Sequence, residues 1–377
     1  MVQNLLFILL IIFLILNQTS QKEKSIFDKT QIKKMKLKNR LFRGSIGDYC
    51  FLKDGKITEE ALNFYNKLSD NGVGTIFTGI TTISDYDKYE NSGIFRIDKD
   101  EYINEYKKLT SIVHKNKANI IMQIAHIGAQ TTLNEKIIYA PSKILFPGSK
   151  KESIEMSKND ILRIENDFVN AAIRAKKSGF DGIEIHAAHF YLLSLFLSPV
   201  FNKRNDEYGG NSKNRARIII EIIEKIRKEV GNDFIISLKI NSEDGIENGI
   251  SEDDFILTCK LAEKSGVDII QVSGMEWTKG KIDSNVLPFF ESAKKVAEIL
   301  SIPVILIGNI REVDTIQFAL NNSQIEYFAI ARPLICEVDL VKKWNNGDFK
   351  KANCISCNTC LKKYSTCVFK KNQRLYP

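Results

Sequence analysis

Eight short apolar segments recur along this chain, each followed by a stretch of helical periodicity, and this alternation limits the fold more than any other feature. The segments are LFRGSIG (41–47), GTIFTGI (74–80), NIIMQIAH (119–126), DGIEIHAA (181–188), FIISLKIN (234–241), DIIQVSGM (268–275), PVILIGNI (303–310) and YFAIARPL (327–334). Their near-continuous Ile and Val content marks strands covered on both faces, and amphipathic stretches such as DILRIENDFVNAAIRAKKSG supply the covers. Glycines at Gly179, Gly231 and Gly266 stop helices just before the next strand. Eight such alternations predict an α/β fold, a (β/α)8 TIM barrel, over residues 25–346. A doubly wound sheet fits less well, because no G-x-G-x-x-G fingerprint follows the first strand. Residues 127–156, with turn signals at Pro141 and Pro147-Gly148, read as an insertion over the barrel mouth, a loop or a short hairpin. Residues 347–377 form a short Cys-rich tail.

With 44% hydrophobic residues among 377, the chain can bury a sizeable core. The net charge of +8 is spread over faces such as residues 221–229, where lysines mix with glutamates. That is the pattern of solvated surface, and no nucleic-acid-binding signature accompanies it. Residues 5–16, LLFILLIIFLIL, form an apolar run. It is short of the roughly 20 residues that span a bilayer, and its length suits a signal-peptide core. No basic residue precedes it and no A-x-A pattern follows. Residues 1–24 therefore stand as an apolar leader (a signal, an anchor or a mis-called start), and membrane contact is expected only through residues 5–16. Of seven cysteines, four crowd at Cys354, Cys357, Cys360 and Cys367. That is not a disulfide framework; it favours a reducing, cytoplasmic setting for the barrel, or a metal site.

In such barrels the chemistry sits at the carboxyl ends of the strands. Polar residues fall there in this chain: Gln123 and His126, His186 and His189, Lys239, Ser273, Gly308 and Asn309, and Arg332. The richest stretch is HAAHFYLLSLFLSPVFNKRNDEYGG (186–210), in which His186, His189 and Tyr191 follow the fourth strand and include two of the four histidines. One short turn can present both imidazoles and the phenol to one small molecule. A metal site, a packed core and a substrate cradle all use such groups. A metal-dependent hydrolase needs further ligands at other strand ends, and the first strand offers only Asp48. Asn202, Arg204, Asp206, Tyr208, Gly209, Gly210 and Arg215 read as residues that lock a loop.

Assembled in order, these blocks resemble the Old Yellow Enzyme family of FMN-dependent oxidoreductases. The resemblance rests on KNRLFR (38–43), NGVGTIFTG (71–79), QIAHIG (123–128), H-x-x-H-x-Y-L-L with FLSP and N-x-R-x-D-E-Y-G-G, and IARPL (330–334). The branch it is nearest to holds NADH:flavin oxidoreductases, NADH oxidases and the N-terminal barrel of 2,4-dienoyl-CoA reductases. The resemblance implies an FMN across the barrel mouth, with its phosphate held after strands seven and eight by Gly308, Asn309, Ala331 and Arg332. Gln123 would bond the flavin's pyrimidine edge, and Lys239 would stand near flavin N1, where many relatives carry arginine. Gly47 occupies a position where some relatives tune the flavin with cysteine or threonine.

Catalysis implied by the resemblance assigns His186 and His189 to the carbonyl oxygen of an activated alkene. Tyr191 would be the proton donor, since a tyrosine phenol with its ordinary pKa of about 10 stays protonated at neutral pH. NADH or NADPH would be the reductant and an enone, an enoyl thioester or another acceptor the oxidant. Phe190 stands where a glycine is common. The tail pattern C-x-x-C-N-x-C resembles three ligands of a four-iron cluster in multi-domain relatives, with Cys367 as the fourth candidate. A 4Fe-4S cluster, a zinc ion and unmetallated thiols all stay open. The alternative function is a weakened flavoprotein that senses redox state or carries electrons through its cysteine tail. Substrate choice lies in residues 127–156 and 276–288, and oligomeric state is not legible.

Overall fold

The computed structural model describes residues 23–46, 57–84, 94–131, 137–275, 286–361 and 367–370. Within them, an antiparallel hairpin of β1 (Thr30–Ile32) and β2 (Met35–Leu37) precedes β3 (Leu41–Arg43) and β4 (Thr75–Phe77). The short β5 (Thr81–Thr82) pairs with β7 (Asn119–Ala125) on one side and with β6 (Phe95–Arg96) on the other. After β8 (Tyr139–Ala140) and β9 (Ile154–Glu155) come β10 (Gly182–Ala187), β11 (Ile235–Asn241), β12 (Ile269–Ser273), β13 (Val304–Ile307) and β14 (Tyr327–Ile330). Strands β3, β4, β7, β10, β11, β12, β13 and β14 pair in parallel in that order, and β14 returns to β3, so the sheet is a closed eight-stranded barrel. Each of the eight apolar segments contributes one barrel strand.

The helices are α1 (Glu59–Asp70), α2 (Tyr102–Lys115), α3 (Lys158–Lys177), α4 (Leu192–Leu197), α5 (Ser212–Val230), α6 (Glu252–Lys264), α7 (Phe290–Ile299), α8 (Val313–Asn321), α9 (Arg332–Cys336) and α10 (Leu340–Asn345). Their starts are written in the sequence. Ser157 and Ser251 cap α3 and α6 in reciprocal capping boxes with Asp160 and Asp254, which satisfies two orphan amides at each end. At the other end of α5, Gly231 takes φ 75°, a left-handed conformation costly for residues with a Cβ.

Strand periodicity divides the residues into two sets. Ile183, Ile185, Ile236, Leu238, Ile240, Ile270 and Val272 pack outward in the core shared with the helices. The alternate residues point inward. At the amino end of the barrel they are apolar: Phe42, Phe77, Ile121, Ile235, Ile269, Ile305 and Tyr327 form a plug closed by Ile32, Met35 and Leu37 of the hairpin. Towards the carboxyl end, β7, β10, β11 and β12 turn polar, with Gln123, Glu184, His186, Ser237, Lys239, Asn241, Gln271 and Ser273 all buried. The β13–β14 side stays apolar through Ile307 and Ala329. One half of the mouth therefore offers hydrogen bonds and the other a greasy wall.

The insertion is neither an open loop nor a hairpin where it is described: β8 and β9 pair in parallel over two residues. Ser153 Oγ ties its arms by donating to Ser142 O at 3.0 Å. The loop after α4 is locked as expected. Asn202 Nδ2 donates to Phe196 O and Tyr208 O, and Arg204 Nη1 donates to Pro141 O and Met156 O while its guanidinium grips Asp206. Arg215 donates to Leu197 O and pairs with Asp254 at 2.8 Å.

Candidate active site

His186 is the last inward residue of β10 and lies beside Lys239 in the strand register. The backbone then turns sharply. His189 and Phe190 both adopt left-handed φ values, 60° and 58°, and Tyr191 becomes the residue before α4. This turn brings the three predicted groups together: the His186 ring centroid is 5.1 Å from that of His189 and 4.8 Å from that of Tyr191, both edge to face. His189 is fixed from three sides. Its ring Nε2 lies 3.0 Å from Ser273 Oγ, its amide donates to Asn241 Oδ1, and its carbonyl accepts from Gln130 Nε2. Burial, reinforced by the charge of Lys239, holds both imidazoles well below their ordinary pKa, so both are neutral at physiological pH. The Phe190 side chain leaves the site altogether. It packs against Phe201 and Phe146, with centroids at 5.2 and 6.2 Å, and leaves Tyr191 facing the cavity.

That cavity, of about 350 Å³, runs from Tyr191, His189, Lys239 and Ser45 to Gly308, Asn309, Ala331 and Arg332. Its described lining holds three cationic side chains, Lys239, Arg311 and Arg332, and no Asp or Glu. Gly308 takes φ 118°, and a Cβ there would meet the Phe289 ring at 3.0 Å, so this wall admits only glycine without rearrangement. Arg311 is 9% exposed, and its Nε has no hydrogen-bond partner among the described residues. Helix α9 is too short to act as an anion site by its dipole, so the guanidinium groups carry the positive charge at this end.

Beneath the mouth, the Gln123 amide is clamped at both ends. Its Oε1 accepts from Ser45 Oγ at 2.7 Å and its Nε2 donates to Glu184 Oε1 at 2.9 Å. Glu184 is fully buried. Burial pushes its carboxyl up to about 7, against the pull of Lys239 and Gln123, and its Oε2 has no hydrogen-bond partner among the described residues. The Lys239 ammonium is lowered by burial, offset in part by Glu184. His126, also read as a strand-end group, is turned to structure: its Nδ1 accepts from Gly128 N, and burial pushes its pKa down to about 3. Gly47 lies outside the described residues, as do Asp48 and Trp277.

The sequence profile of the NADH:flavin oxidoreductase / NADH oxidase family matches residues 25–350. The chain belongs to this family. It is 30% identical over 346 residues to an NADH oxidase of Thermoanaerobacter brockii, covering 89% of this chain and 53% of the relative. It is 32% identical over 315 residues to an NADPH dehydrogenase of Bacillus subtilis (strain 168), covering 83% and 91%. Among solved structures, a 2-naphthoyl-CoA reductase complex superposes with a TM-score of 0.83 at 24% identity, over 90% of this chain and 55% of that one. Morphinone reductase gives 0.76 at 21%, over 87% and 91%. The structural likenesses carry the fold, and the Old Yellow Enzyme resemblance expected from the sequence holds. The chain spans about half the length of the NADH oxidase and of the naphthoyl-CoA reductase.

The family's cofactor, FMN, fits the residues present. An anion would meet two guanidinium groups and, among the described residues, no carboxylate at one end, and a heterocycle edge would meet the Ser45, Gln123 and Lys239 group at the other. The tail thiols fit a metal less well. Cys336, Cys354 and Cys367 are buried in one small apolar nest with Cys360 against it, whereas Cys357 is exposed. Among the described residues no group of three or more His, Cys, Asp or Glu side chains is placed to hold a metal ion.

Sequence reasoning missed Glu184, Ser45, Arg311, Ser356 and Asn358. Glu184 had a signal, since it shares the inward face of β10 with His186 at a spacing of two. Ser356 and Asn358 had none, because they come from the tail, Ser356 to the cavity wall and Asn358 to Arg332.

Proposed function

We propose that this protein is an FMN-dependent oxidoreductase that takes hydride from NAD(P)H and reduces an activated alkene of enone or enoyl type, or another acceptor reaching the same face. The observation that carries the proposal is the triad of two neutral imidazoles and a phenol, stacked edge to face at the mouth of a cation-lined cavity whose described lining holds no acid. When bound, FMN would supply the two-electron chemistry that links the nicotinamide to the acceptor. Gly308, Asn309, Ala331, Arg311 and Arg332 would hold the phosphate, and Gln123 and Lys239 would serve the pyrimidine end.

His186 and His189, as neutral donors, polarise the acceptor's carbonyl oxygen without giving up a full proton, which stabilises enolate charge as it develops. Ser273 orients His189 for that task. Tyr191 holds the proton destined for the α-carbon. Its position is set by the turn that sends Phe190 the other way.

The test is stopped-flow kinetics on the full chain. Reduction by NADH or NADPH followed by reoxidation with cyclohexenone is expected to be faster than reoxidation by aerated buffer alone. Tyr191→Phe is expected to slow the oxidative half-reaction about 100-fold or more, within the usual range of general-acid contributions, while reduction by nicotinamide stays nearly intact. Equal losses in both halves remove Tyr191 from the proton-donor role.

A second reading of the tail, a four-iron cluster on Cys354, Cys357, Cys360 and Cys367 serving electron transfer, is favoured by the spacing of the first three thiols and the gathering of most of them in one nest. It requires the exposed Cys357 to turn inward. Iron and acid-labile sulfide in anaerobically purified protein test it, and an absorbance accounted for by FMN alone removes it.

A further inference from the structure

The Cys-rich tail does not trail away from the barrel. Trp344 Nε1 donates to Lys350 O at 3.2 Å, Ala352 N donates to Arg311 O at 2.9 Å and Asn353 N donates to Glu337 Oε2 at 2.6 Å, which ties residues 350–353 to the barrel's last helices and to the backbone of Arg311, a residue of the cavity wall. The chain then makes two left-handed residues, Ser356 with φ 52° and Asn358 with φ 59°. Both side chains reach back to the cavity's cations: Ser356 Oγ accepts from Arg311 Nη2, and Asn358 Oδ1 accepts from Arg332 Nη1 at 2.5 Å. Ser356 itself lines the cavity.

We infer that Ser356 and Asn358 are positioning residues of the cofactor site, holding Arg311 and Arg332 in place for the FMN phosphate. Arginine carries a large rotamer entropy, and a guanidinium fixed before binding loses less on meeting its anion. Both partners are neutral, so they orient the cations without cancelling their charge. The buried Arg311 Nε, which has no partner among the described residues, leaves that group a donor to spare. The inference rests on the assignment of this cavity end to phosphate made above.

The experiment compares FMN with riboflavin, which lacks the phosphate, by equilibrium titration of flavin-depleted full-length protein. Ser356→Gly and Asn358→Gly remove the acceptors while keeping a residue at ease with positive φ. The wild-type protein is expected to prefer FMN. Each variant is expected to weaken FMN binding about ten-fold or more, the scale of a hydrogen bond to a charged group, with riboflavin affinity unchanged. The inference is overturned if FMN affinity stays within about two-fold of wild type, or if both flavins weaken together, the mark of a general loss of structure. A wild-type protein that binds both flavins equally overturns the phosphate assignment first and this inference with it.

Discussion

At the scale of single residues, the proposed placement of FMN over the buried pair of Glu184 and Lys239 would make the cofactor's electronics depend on pH. The Glu184 carboxyl sits at about 7, so below that pH it is neutral and the Lys239 charge acts alone. Above it the carboxylate forms and offsets the ammonium, which on that placement would favour the anionic reduced flavin. The midpoint potential of bound FMN in Glu184→Gln is therefore expected to match wild type near about pH 6 and to exceed it near about pH 8.5 by on the order of 30 mV, about 1.4 kcal/mol for a two-electron couple. Potentials that coincide at both pH values would detach Glu184 from the cofactor. Phe190 poses a different balance. Its left-handed backbone costs about 1–2 kcal/mol, while emptying a buried aromatic site costs about 3–5. Phe190→Gly relieves the first and loses the second, so a net destabilisation of about 2 kcal/mol is expected. It should appear as a lower melting temperature and faster amide exchange in residues 137–156. A neutral or stabilising result would mean that the ring packs without benefit.

Among elements, the strands were legible because a strand buried on both faces must be apolar almost throughout, and three helix ends because Gly179, Gly231 and Gly266 take the positive φ that stops a helix. The insertion was not legible. Its two-residue ladder is held by Ser153, bonded to Ser142, 11 positions away, and by Arg204 reaching from the far side of the fourth strand to Met156, 48 positions away, contacts for which local sequence carries no signal. Elements are also joined by a titratable staple. His114, in the last turn of α2, lies 2.9 Å from Asp181 Oδ2, which also accepts from Ile120 N at the start of β7. The Asp181 hydrogen bond raises the His114 pKa above its ordinary value, burial opposing. A raised folded-state pKa means that the pair's contribution is full below the unfolded value of about 6.5 and is lost as pH rises through the folded one. The group is half exposed, so under about 1 kcal/mol is at stake. Melting curves of wild type and His114→Gln should differ near about pH 5.5 and converge near about pH 9. A difference that grows with pH would reverse the assignment.

For the whole molecule, the barrel separates two tasks along its axis. The carboxyl end is polar on β7–β12, and the sequence revealed it because those residues fall at strand ends; the tail's grip on Arg311 and Arg332 stayed hidden because residues 45 and 26 positions apart meet only in the folded chain. The amino end does no chemistry in such folds and bears on stability. There Asp268, 5% exposed, gathers four elements: it pairs with Lys33 of the hairpin turn and with Arg227 of α5, accepts from Ile236 N of β11 at 2.8 Å, and itself opens β12. Asp268→Asn keeps the shape and removes the charge, leaving Arg227 with its three carbonyl partners but no anion. A loss of about 2 kcal/mol is expected, below the 3–5 of a fully stranded buried ion because Lys33 reaches solvent. That corresponds to a fall of several degrees in melting temperature. If the two ends are independent, as sites with no shared partners usually are, the affinity for FMN and the rate of reduction by nicotinamide at a temperature well below the transition should equal those of wild type. A weaker FMN complex in Asp268→Asn would show instead that the plug sets the geometry of the mouth, through the inward layer in which Ile121 lies below Gln123 on β7 and Ile235 lies below Lys239 on β11.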